Sequence, residues 1–467
     1  MSSGGGLLPA QEVVESVLRS PGGEGRIAIV EERSEAEVRF ANNTTTTNGV
    51  RRDRRVTVVS LRPAQGGTSA GVASMSGGSA SDVAALLAAS EADAAGAARA
   101  DDGFALVEPE ADDPAWAEAP AITDLGVLDG VLGPLAEAFQ RARSRSEVLA
   151  GFAEHRLETV YLGTSTGLRR RHVQPTGKLE LVGRSTDGAR SAWVGAGTAD
   201  FVDVDVSEME ARLERRLGWA ERRVALEAGR YQTLLPPDAV ADLMIPLYGA
   251  MGGRDAEEGR SALSKPGGRT RVGEQISELP FDLRSDPDHP ALSCAPFLVA
   301  GASGSDVSVF DNGLPLGATS WLRGGRLSQL RYHRAGATRS GTQPAPPVDN
   351  LLLERPGASR SLEDLVAEVD RGLLLTCLWY IREVDPVTLL LTGLTRDGVY
   401  LIERGEVVGA VNNFRFNESP LDVLARSADC SRTERALSRE WNEWLNRTAM
   451  PALRVDDFNM STVSPAN

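Results

Sequence analysis

The segment Gly229-Arg-Tyr-Gln-Thr-Leu-Leu-Pro-Pro-Asp238 divides the chain into two parts. After it, the composition shifts toward Gly, Pro and β-forming residues. Directly downstream, apolar residues recur at the i, i+3, i+4, i+7 spacing of a helix: Val240, Leu243, Met244 and Leu247. The pattern predicts a helix over residues 238–251 and a domain boundary near residue 228.

The upstream part, residues 1–228, is predicted to be an α+β domain with a curved antiparallel sheet and flanking helices. Apolar spacing indicates helices near 11–18, after Asp82, near 132–149 and over 208–228. Short β-rich runs predict strands, among them 26–30, 56–61, 158–162 and 179–183. A Gly/Ser/Ala-rich loop is expected over 66–81, and an acidic, proline-containing surface linker over about 101–120.

The downstream part, residues 229–467, is predicted to be a mostly-β, barrel-like domain. Short strands alternate with turns after Gly273, and residues 398–413 have the pattern of a hairpin that turns at Arg404-Gly405. A helix is expected over residues 431–445, because apolar residues recur there at helical spacing: Leu437, Trp441, Trp444 and Leu445. The whole chain is therefore assigned to the α+β class.

Charge and cysteine content limit the partners and the compartment. The 467 residues include 65 Asp and Glu and 50 Lys and Arg, a formal net charge of −15, which repels phosphate backbones and anionic lipid headgroups. We therefore expect neither nucleic acid nor a membrane as a partner, and no signal peptide or membrane span is indicated. Cys294, Cys377 and Cys430 are widely spaced and form no CxxC pair, which is typical of a reducing compartment and predicts a cytoplasmic protein.

The catalytic motifs in the chain lack the context they need. The G-x-S-x-G pattern of a serine nucleophile elbow occurs at 67–71 and 163–167, but neither copy joins a strand to an immediate helix, and the second predicts a hairpin turn. No HExxH or HExxxH motif is present, and no two of the histidines lie within one helical turn: His155, His172, His289 and His333. A hydrolase with a serine site or an improvised His/Cys metal site remains an alternative.

Several short segments carry a family resemblance through their order and spacing. They are Arg39-Phe40-Ala41-Asn42-Asn43, Gly71-Val72-Ala73-Ser74, Gly229-Arg230-Tyr231, Arg271-Val272-Gly273-Glu274-Gln275, Asp385-Pro386-Val387-Thr388, and 398–406 followed by Val411-Asn412-Asn413. Together they span nearly the whole chain and resemble the TldD/PmbA (TldE) family. The resemblance implies a two-domain fold and a paired assembly of TldD-like and TldE-like chains.

In such a pair the TldD-like member is a zinc peptidase that cuts extended or unfolded peptides in an enclosed cavity. Its HExxxH helix supplies two histidines and a glutamate, and a cysteine near the C-terminus is a further ligand. With Ser261-Ala262-Leu263 and Val272-Gly273-Glu274-Gln275 as anchors, an ungapped register places this hexad over Met244-Ile245-Pro246-Leu247-Tyr248-Gly249.

The residues at the hexad positions of this chain cannot bind zinc or act as a general base. Met244 is a weak ligand for Zn²⁺, Ile245 cannot transfer a proton, and Gly249 has no side chain. Cys430 lies near the position of the family's cysteine, but one thiolate alone cannot hold a catalytic zinc. We therefore expect no catalytic residue, no metal ligand and no cofactor in this chain, with zinc bound by a TldD-like partner.

The expected function is that of a TldE/PmbA-like subunit, itself non-catalytic, in a heterodimer or higher assembly with an HExxxH-bearing chain. The subunit would shape the chamber for unfolded peptides and stabilise its partner. Candidate substrate-binding or interface residues are Arg396, Asp397, Asn412 and Asn413, for which turn-forming roles are the alternative. A peptide-binding scaffold in antibiotic-peptide maturation or export is a further alternative.

Overall fold

The computed structural model describes residues 6–21 and 24–464. The upstream elements, in chain order, are α1 (Ala10–Arg19), β1 (Gly25–Ala41), β2 (Thr44–Ala64), β3 (Gly67–Ser76), α2 (Ala80–Gly96), α3 (Asp129–Ser144), β4 (Glu147–Thr164), β5 (Arg169–Ser185), β6 (Ser191–Thr198), α4 (Val206–Trp219) and β7 (Arg223–Val224). A 3₁₀ turn, Leu125–Leu128, precedes α3.

The downstream elements are β8 (Gly229–Leu235), α5 (Pro237–Gly249), α6 (Gly253–Glu257), β9 (Ser264–Lys265), β10 (Arg269–Thr270), β11 (Asp282–Ser285), β12 (Thr319–Arg323), β13 (Arg326–Leu327), α7 (Arg334–Ser340), β14 (Leu351–Glu354), α8 (Leu362–Ala367), β15 (Arg371–Leu375), β16 (Leu378–Asp385), β17 (Leu390–Thr395), β18 (Val399–Glu403), β19 (Glu406–Val411), β20 (Phe414–Glu418), α9 (Pro420–Ala425), β21 (Ser427–Ala436) and β22 (Thr448–Val463). Another 3₁₀ turn spans Val309–Asp311.

Six strands of the upstream part form an antiparallel sheet in the order β3-β2-β1-β4-β5-β6. The apolar residues of α1 and α2 pack on β1 and β2, while α3 and α4 pack on β4, β5 and β6. Ile29, Val59 and Leu162 belong to another cluster, which includes Phe297 and Phe310 of the downstream part. The predicted α+β organisation, with an antiparallel sheet and flanking helices, is confirmed.

The downstream part is built on one large mixed sheet. Its main order is β13-β12-β11-β14-β22-β8-β15-β18-β19-β7, and β16, β17, β20 and β21 pair beside this path. The pairs β14–β22, β8–β15 and β7–β19 are parallel. The mostly-β prediction is confirmed, but the expected barrel is not closed among the described residues, because the order ends at β13 on one side and at β7 on the other.

Three local predictions have different outcomes. The hairpin at Arg404-Gly405 is confirmed, with both turn residues at positive φ between β18 and β19. The second G-x-S-x-G copy is a hairpin turn between β4 and β5, as expected. The loop predicted over 66–81 is wrong, because residues 67–76 form β3, where a Cβ at Gly71 would lie 2.0 Å from the backbone nitrogen of Ala94. The glycines therefore allow α2 to approach the strand closely.

The predicted helix over residues 431–445 is also wrong. Ser427–Ala436 is strand β21, and residues 439–444 form turns. The predicted linker has no regular element over residues 101–124. Among the described helices, none combines the length and the apolar character needed to cross a bilayer. The domain division at residue 228 stays a prediction.

Candidate functional site

Helix α5 carries the hexad positions through the centre of the downstream core. Pro237 stands in its first turn, where the missing N–H group costs no helical hydrogen bond. Met244 and Ile245 are fully buried in the main apolar cluster of this part. Gly249 is the last residue of the helix. The side chains at the first two hexad positions therefore contact the core and not a solvent-filled site.

Two buried carboxylates on α5 fix the segment that follows β21. Asp238 accepts a hydrogen bond from the backbone N–H of Leu437 at 2.9 Å. Asp242 Oδ1 accepts from the Ser438 hydroxyl at 2.5 Å and from the Glu440 N–H at 2.9 Å, while the other oxygen, Oδ2, has no partner among the described residues. Burial raises the pKa of Asp242 well above its usual value. These contacts hold residues 437–441 in turns against α5.

The indole of Trp444 covers the end of α5. A Cβ built on Gly249 would lie 2.8 Å from Trp444 Cη2, closer than real Cβ contacts come. The Trp444 side chain is nevertheless 54% exposed. A histidine at the last hexad position, Gly249, would therefore project into space that the Trp444 indole fills. The same indole also faces solvent.

Beside Trp444 lies a cavity of about 340 Å³, which we call the helix-end cleft. It is defined here by six of its lining residues: His172, Gln174, Tyr248, Phe297, Asp349 and Trp444. Strand β5 of the upstream sheet contributes the first two, and the downstream part contributes the other four. The cleft therefore lies where the two parts of the chain meet, at the end of the helix that carries the hexad positions.

The polar groups of the helix-end cleft are held by neighbours. Tyr248 donates from its hydroxyl to the Val348 carbonyl at 2.9 Å and accepts from the Val348 N–H at 2.8 Å, and burial raises its pKa to about 12. Asp349 pairs with Arg447 at 2.5 Å, and burial raises the pKa of this carboxyl. Burial lowers the pKa of His172, which lies 3.1 Å from Gln174 Oε1. Glu31, Glu158 and Arg331 also line the cleft, so its walls combine charged, polar and apolar groups.

The histidines and cysteines lie apart. His155 contacts Thr123 and the Ala199 carbonyl, and His333 accepts the Gly336 N–H at the start of α7. Cys294, Cys377 and Cys430 are buried free thiols, and burial raises the pKa of each. Residues 6–21 and 24–464 contain no group of three or more His, Cys, Asp or Glu side chains placed to hold a metal ion.

Three of the four predicted binding residues line another cavity, of about 560 Å³, which we call the junction cavity. Its walls come from residues 187–191, 220 and 223–225 upstream and from 397–400 and 410–413 downstream. Asp397, Asn412 and Asn413 line it, whereas Arg396 does not and pairs with Asp397 at 3.8 Å. Sequence reasoning missed Tyr400 and Arg223 in the same walls, because no local motif marks them. A binding or interface role for the four predicted residues stays a prediction.

Comparisons with known proteins identify the family. A model of the PmbA/TldA metallopeptidase C-terminal domain matches residues 228–462. No protein with a curated description matches the chain significantly.

Three solved structures share the fold over almost the entire length. TldE from Thermococcus kodakarensis is 18% identical, with a TM-score of 0.77 over 96% of this chain and 98% of its own. A proposed modulator of a DNA gyrase from Thermotoga maritima is 16% identical, with a TM-score of 0.70 over 93% and 96%. A proposed modulator of DNA gyrase from Bacteroides thetaiotaomicron is 14% identical, with a TM-score of 0.72 over 97% and 98%. Together with the family model, which spans half of the sequence, these matches lead to one conclusion: the chain belongs to the PmbA/TldD family of metallopeptidase-related proteins.

Proposed function

We propose that this chain is a non-catalytic, TldE-like subunit of a cytoplasmic zinc-peptidase complex, and that an HExxxH-bearing partner supplies the zinc. One observation carries the proposal: the three hexad positions hold Met244, Ile245 and Gly249, of which two are core residues and the third lies under an indole. None of them offers a nitrogen or oxygen ligand or a general base. The fold shared with a TldE protein supports the same assignment.

The helix-end cleft is the proposed contact surface for an extended peptide. Phe297 and Trp444 offer apolar and aromatic area beside the strand that carries His172 and Gln174. Extended chains are commonly held by main-chain hydrogen bonds with side chains in shallow apolar pockets, which gives affinity without strict sequence specificity. Such a surface fits a subunit that presents unfolded peptides to a partner's zinc.

Reconstitution tests whether catalysis depends on the HExxxH-bearing partner and not on this chain. We expect the purified chain to form a complex with an HExxxH-bearing chain from the same source, and the complex to cleave a fluorescently labelled unstructured peptide. Replacing the partner's hexad glutamate by glutamine should abolish cleavage. Met244→Leu, which keeps the volume of the core side chain, should leave cleavage unchanged because this residue carries no zinc.

Two results would contradict the proposal. One is loss of cleavage in a Met244→Leu complex that assembles and unfolds like the native complex. The other is tight peptide binding by a chain that recruits no HExxxH protein, which would favour the scaffold alternative.

A further inference from the structure

The junction cavity combines features that the proposed function does not use. Its volume of about 560 Å³ lies within the range of about 300–1,000 Å³ that is typical of small-ligand sites. Apolar walls include Val224, Val399 and Val411, and the polar side chains cluster around Asp397, Tyr400 and Asn412. What the cavity can bind depends on which of these polar groups already have partners within the protein.

The carboxylates in the wall are satisfied by the protein. Asp397 Oδ1 accepts the Ser191 hydroxyl at 2.5 Å, and its side chain pairs with Arg396 at 3.8 Å. Asp187 accepts the Ser185 hydroxyl and the Ala189 N–H in its own turn. Neither carboxylate depends on a ligand for a hydrogen-bond partner.

The donors in the wall are not satisfied. Tyr400 is 1% exposed, and its hydroxyl has no hydrogen-bond partner among the described residues. Asn412 Oδ1 accepts the Leu226 N–H at 2.8 Å, but its buried Nδ2 is likewise without a partner in that part of the chain. An unsatisfied buried donor costs about 1–3 kcal/mol, so two of them in one cavity wall call for an explanation.

Two arginines line the cavity, Arg190 and Arg223. Arg190 is held by the Leu217 carbonyl at 3.2 Å and by Glu221 at 3.3 Å. Arg223 is exposed, and none of the ion pairs formed by residues 6–21 and 24–464 includes it. Burial raises the pKa of Tyr400, so the phenol keeps its proton at neutral pH and remains a donor. The cavity therefore lacks acceptor oxygens for two buried donors and a counter-charge for one of its two arginines, Arg223.

The backbone around these groups is constrained. Asp397 has φ +55°, and a Cβ built on Gly398 would lie 1.9 Å from Thr376 Oγ1. A left-handed aspartate followed by an obligatory glycine fixes where β18 begins, and hence where Tyr400 stands.

We propose that the junction cavity is a binding site for a carboxylate group, with Tyr400 and Asn412 as the buried donors and Arg223 as the cation at the mouth. A carboxylate presents two acceptor oxygens and one negative charge, which matches two neutral donors and one guanidinium. A phosphate dianion fits less well, because Asp397 and Asp187 share the walls and repel a second charge. The site does not depend on the proposed zinc partner.

The experiment measures ligand binding to the full chain alone by saturation-transfer NMR. N-acetylglycine is titrated into the millimolar range, and N-acetylglycinamide, its uncharged analogue, is titrated in parallel. We expect saturable binding of the acid, with affinity for the amide about tenfold lower because it lacks the charge. Inorganic phosphate is the third probe and should compete weakly.

Variants locate the site. Arg223→Gln and Tyr400→Phe should each weaken N-acetylglycine binding several-fold, whereas the matched control Arg222→Gln, an exposed neighbour outside the cavity wall, should not. Arg223→Gln changes an exposed residue, so the test stands even if Tyr400→Phe impairs folding.

The proposal is overturned if N-acetylglycine shows no saturable binding, if the amide binds equally well, or if Arg223→Gln and Arg222→Gln behave alike. Tighter binding of phosphate than of the acid would overturn the assignment of the ligand as a carboxylate.

Discussion

Asp242 shows how a single buried carboxyl on α5 makes stability depend on pH. It is fully buried, accepts two hydrogen bonds through Oδ1, and has a pKa raised well above 3.8 by desolvation. A group whose pKa is higher in the folded state binds its proton more tightly there than in the unfolded chain. Its favourable contribution is therefore complete below about pH 4 and is lost as the pH rises through the raised value.

We predict that Asp242→Asn makes the free energy of unfolding less dependent on pH. The amide keeps an acceptor for Ser438 and Glu440 but carries no charge to desolvate. Relative to the native chain, the variant should gain stability as the pH rises from 5 to 8, measured by urea unfolding at each pH. The control Asp112→Asn, at an exposed loop position, should follow the native curve. Parallel curves for the native chain and Asp242→Asn would contradict the prediction.

The sequence indicates part of this residue-scale picture and not the rest. Met244, Ile245 and Gly249 are visible as non-ligands because chemistry depends on residue type. The roles of Asp238 and Asp242 are not visible, because their partners lie about 200 positions later in the chain. Tyr400 and Arg223 meet only through the fold, and no local pattern links them.

Among the elements, β4 and α3 show how close packing decides where glycine is needed. A Cβ on Gly151 in β4 would lie 1.9 Å from the Glu180 carbonyl oxygen of the neighbouring strand, and its φ is +153°. Gly130, near the start of α3, has nothing within 4 Å of the same position and does not precede a proline.

We predict opposite effects of the same substitution at these two glycines. Gly151→Ala should lower the free energy of unfolding by about 2 kcal/mol or more, because the backbone of a paired strand must move. Gly130→Ala should raise it by about 0.5 kcal/mol, since alanine is the better helix former. Urea unfolding of both variants measures the two changes in the free energy of unfolding. Equal changes would show that the contact between β4 and β5 at Gly151 leaves room for a Cβ.

Elements are predictable from sequence where local pattern and tertiary contacts agree. The helix after Pro237 follows its apolar spacing, and the Arg404-Gly405 hairpin follows its turn residues. The apolar spacing from Leu437 to Leu445 also favours a helix, but hydrogen bonds from Leu437, Ser438 and Glu440 to the aspartates of α5 stabilise turns instead. Strand β3 was missed because its Gly and Ser residues resemble a loop, although they serve close packing against α2.

For the whole molecule, a buried polar cluster ties the C-terminal turns to the upstream sheet. Glu180 on β5 is 5% exposed at its side chain and pairs with Arg439. Its carboxylate also accepts the Trp193 indole N–H at 3.0 Å and the Asn442 amide at 3.2 Å. The guanidinium of Arg439 stacks 4.2 Å from the centroid of Trp379.

We predict that Glu180→Gln destabilises the chain by about 3 kcal/mol, because it leaves a largely buried guanidinium without a counter-charge. The matched control is Glu137→Gln, whose carboxylate is 71% exposed and pairs with Arg141 on the surface. This control should change the free energy of unfolding by less than about 1 kcal/mol. Thermal and urea unfolding measure the change in stability of both variants. A small loss of stability in Glu180→Gln would mean that this cluster does not couple the upstream and downstream parts.

Above all, we propose that this member of the family does not carry its own zinc. The most direct measurement is the zinc content of the purified chain after incubation with zinc and removal of free ions, with cleavage of an unstructured peptide followed in the same sample. We expect zinc far below one ion per chain and no cleavage that EDTA abolishes. Stoichiometric zinc together with EDTA-sensitive cleavage by the chain alone would contradict it.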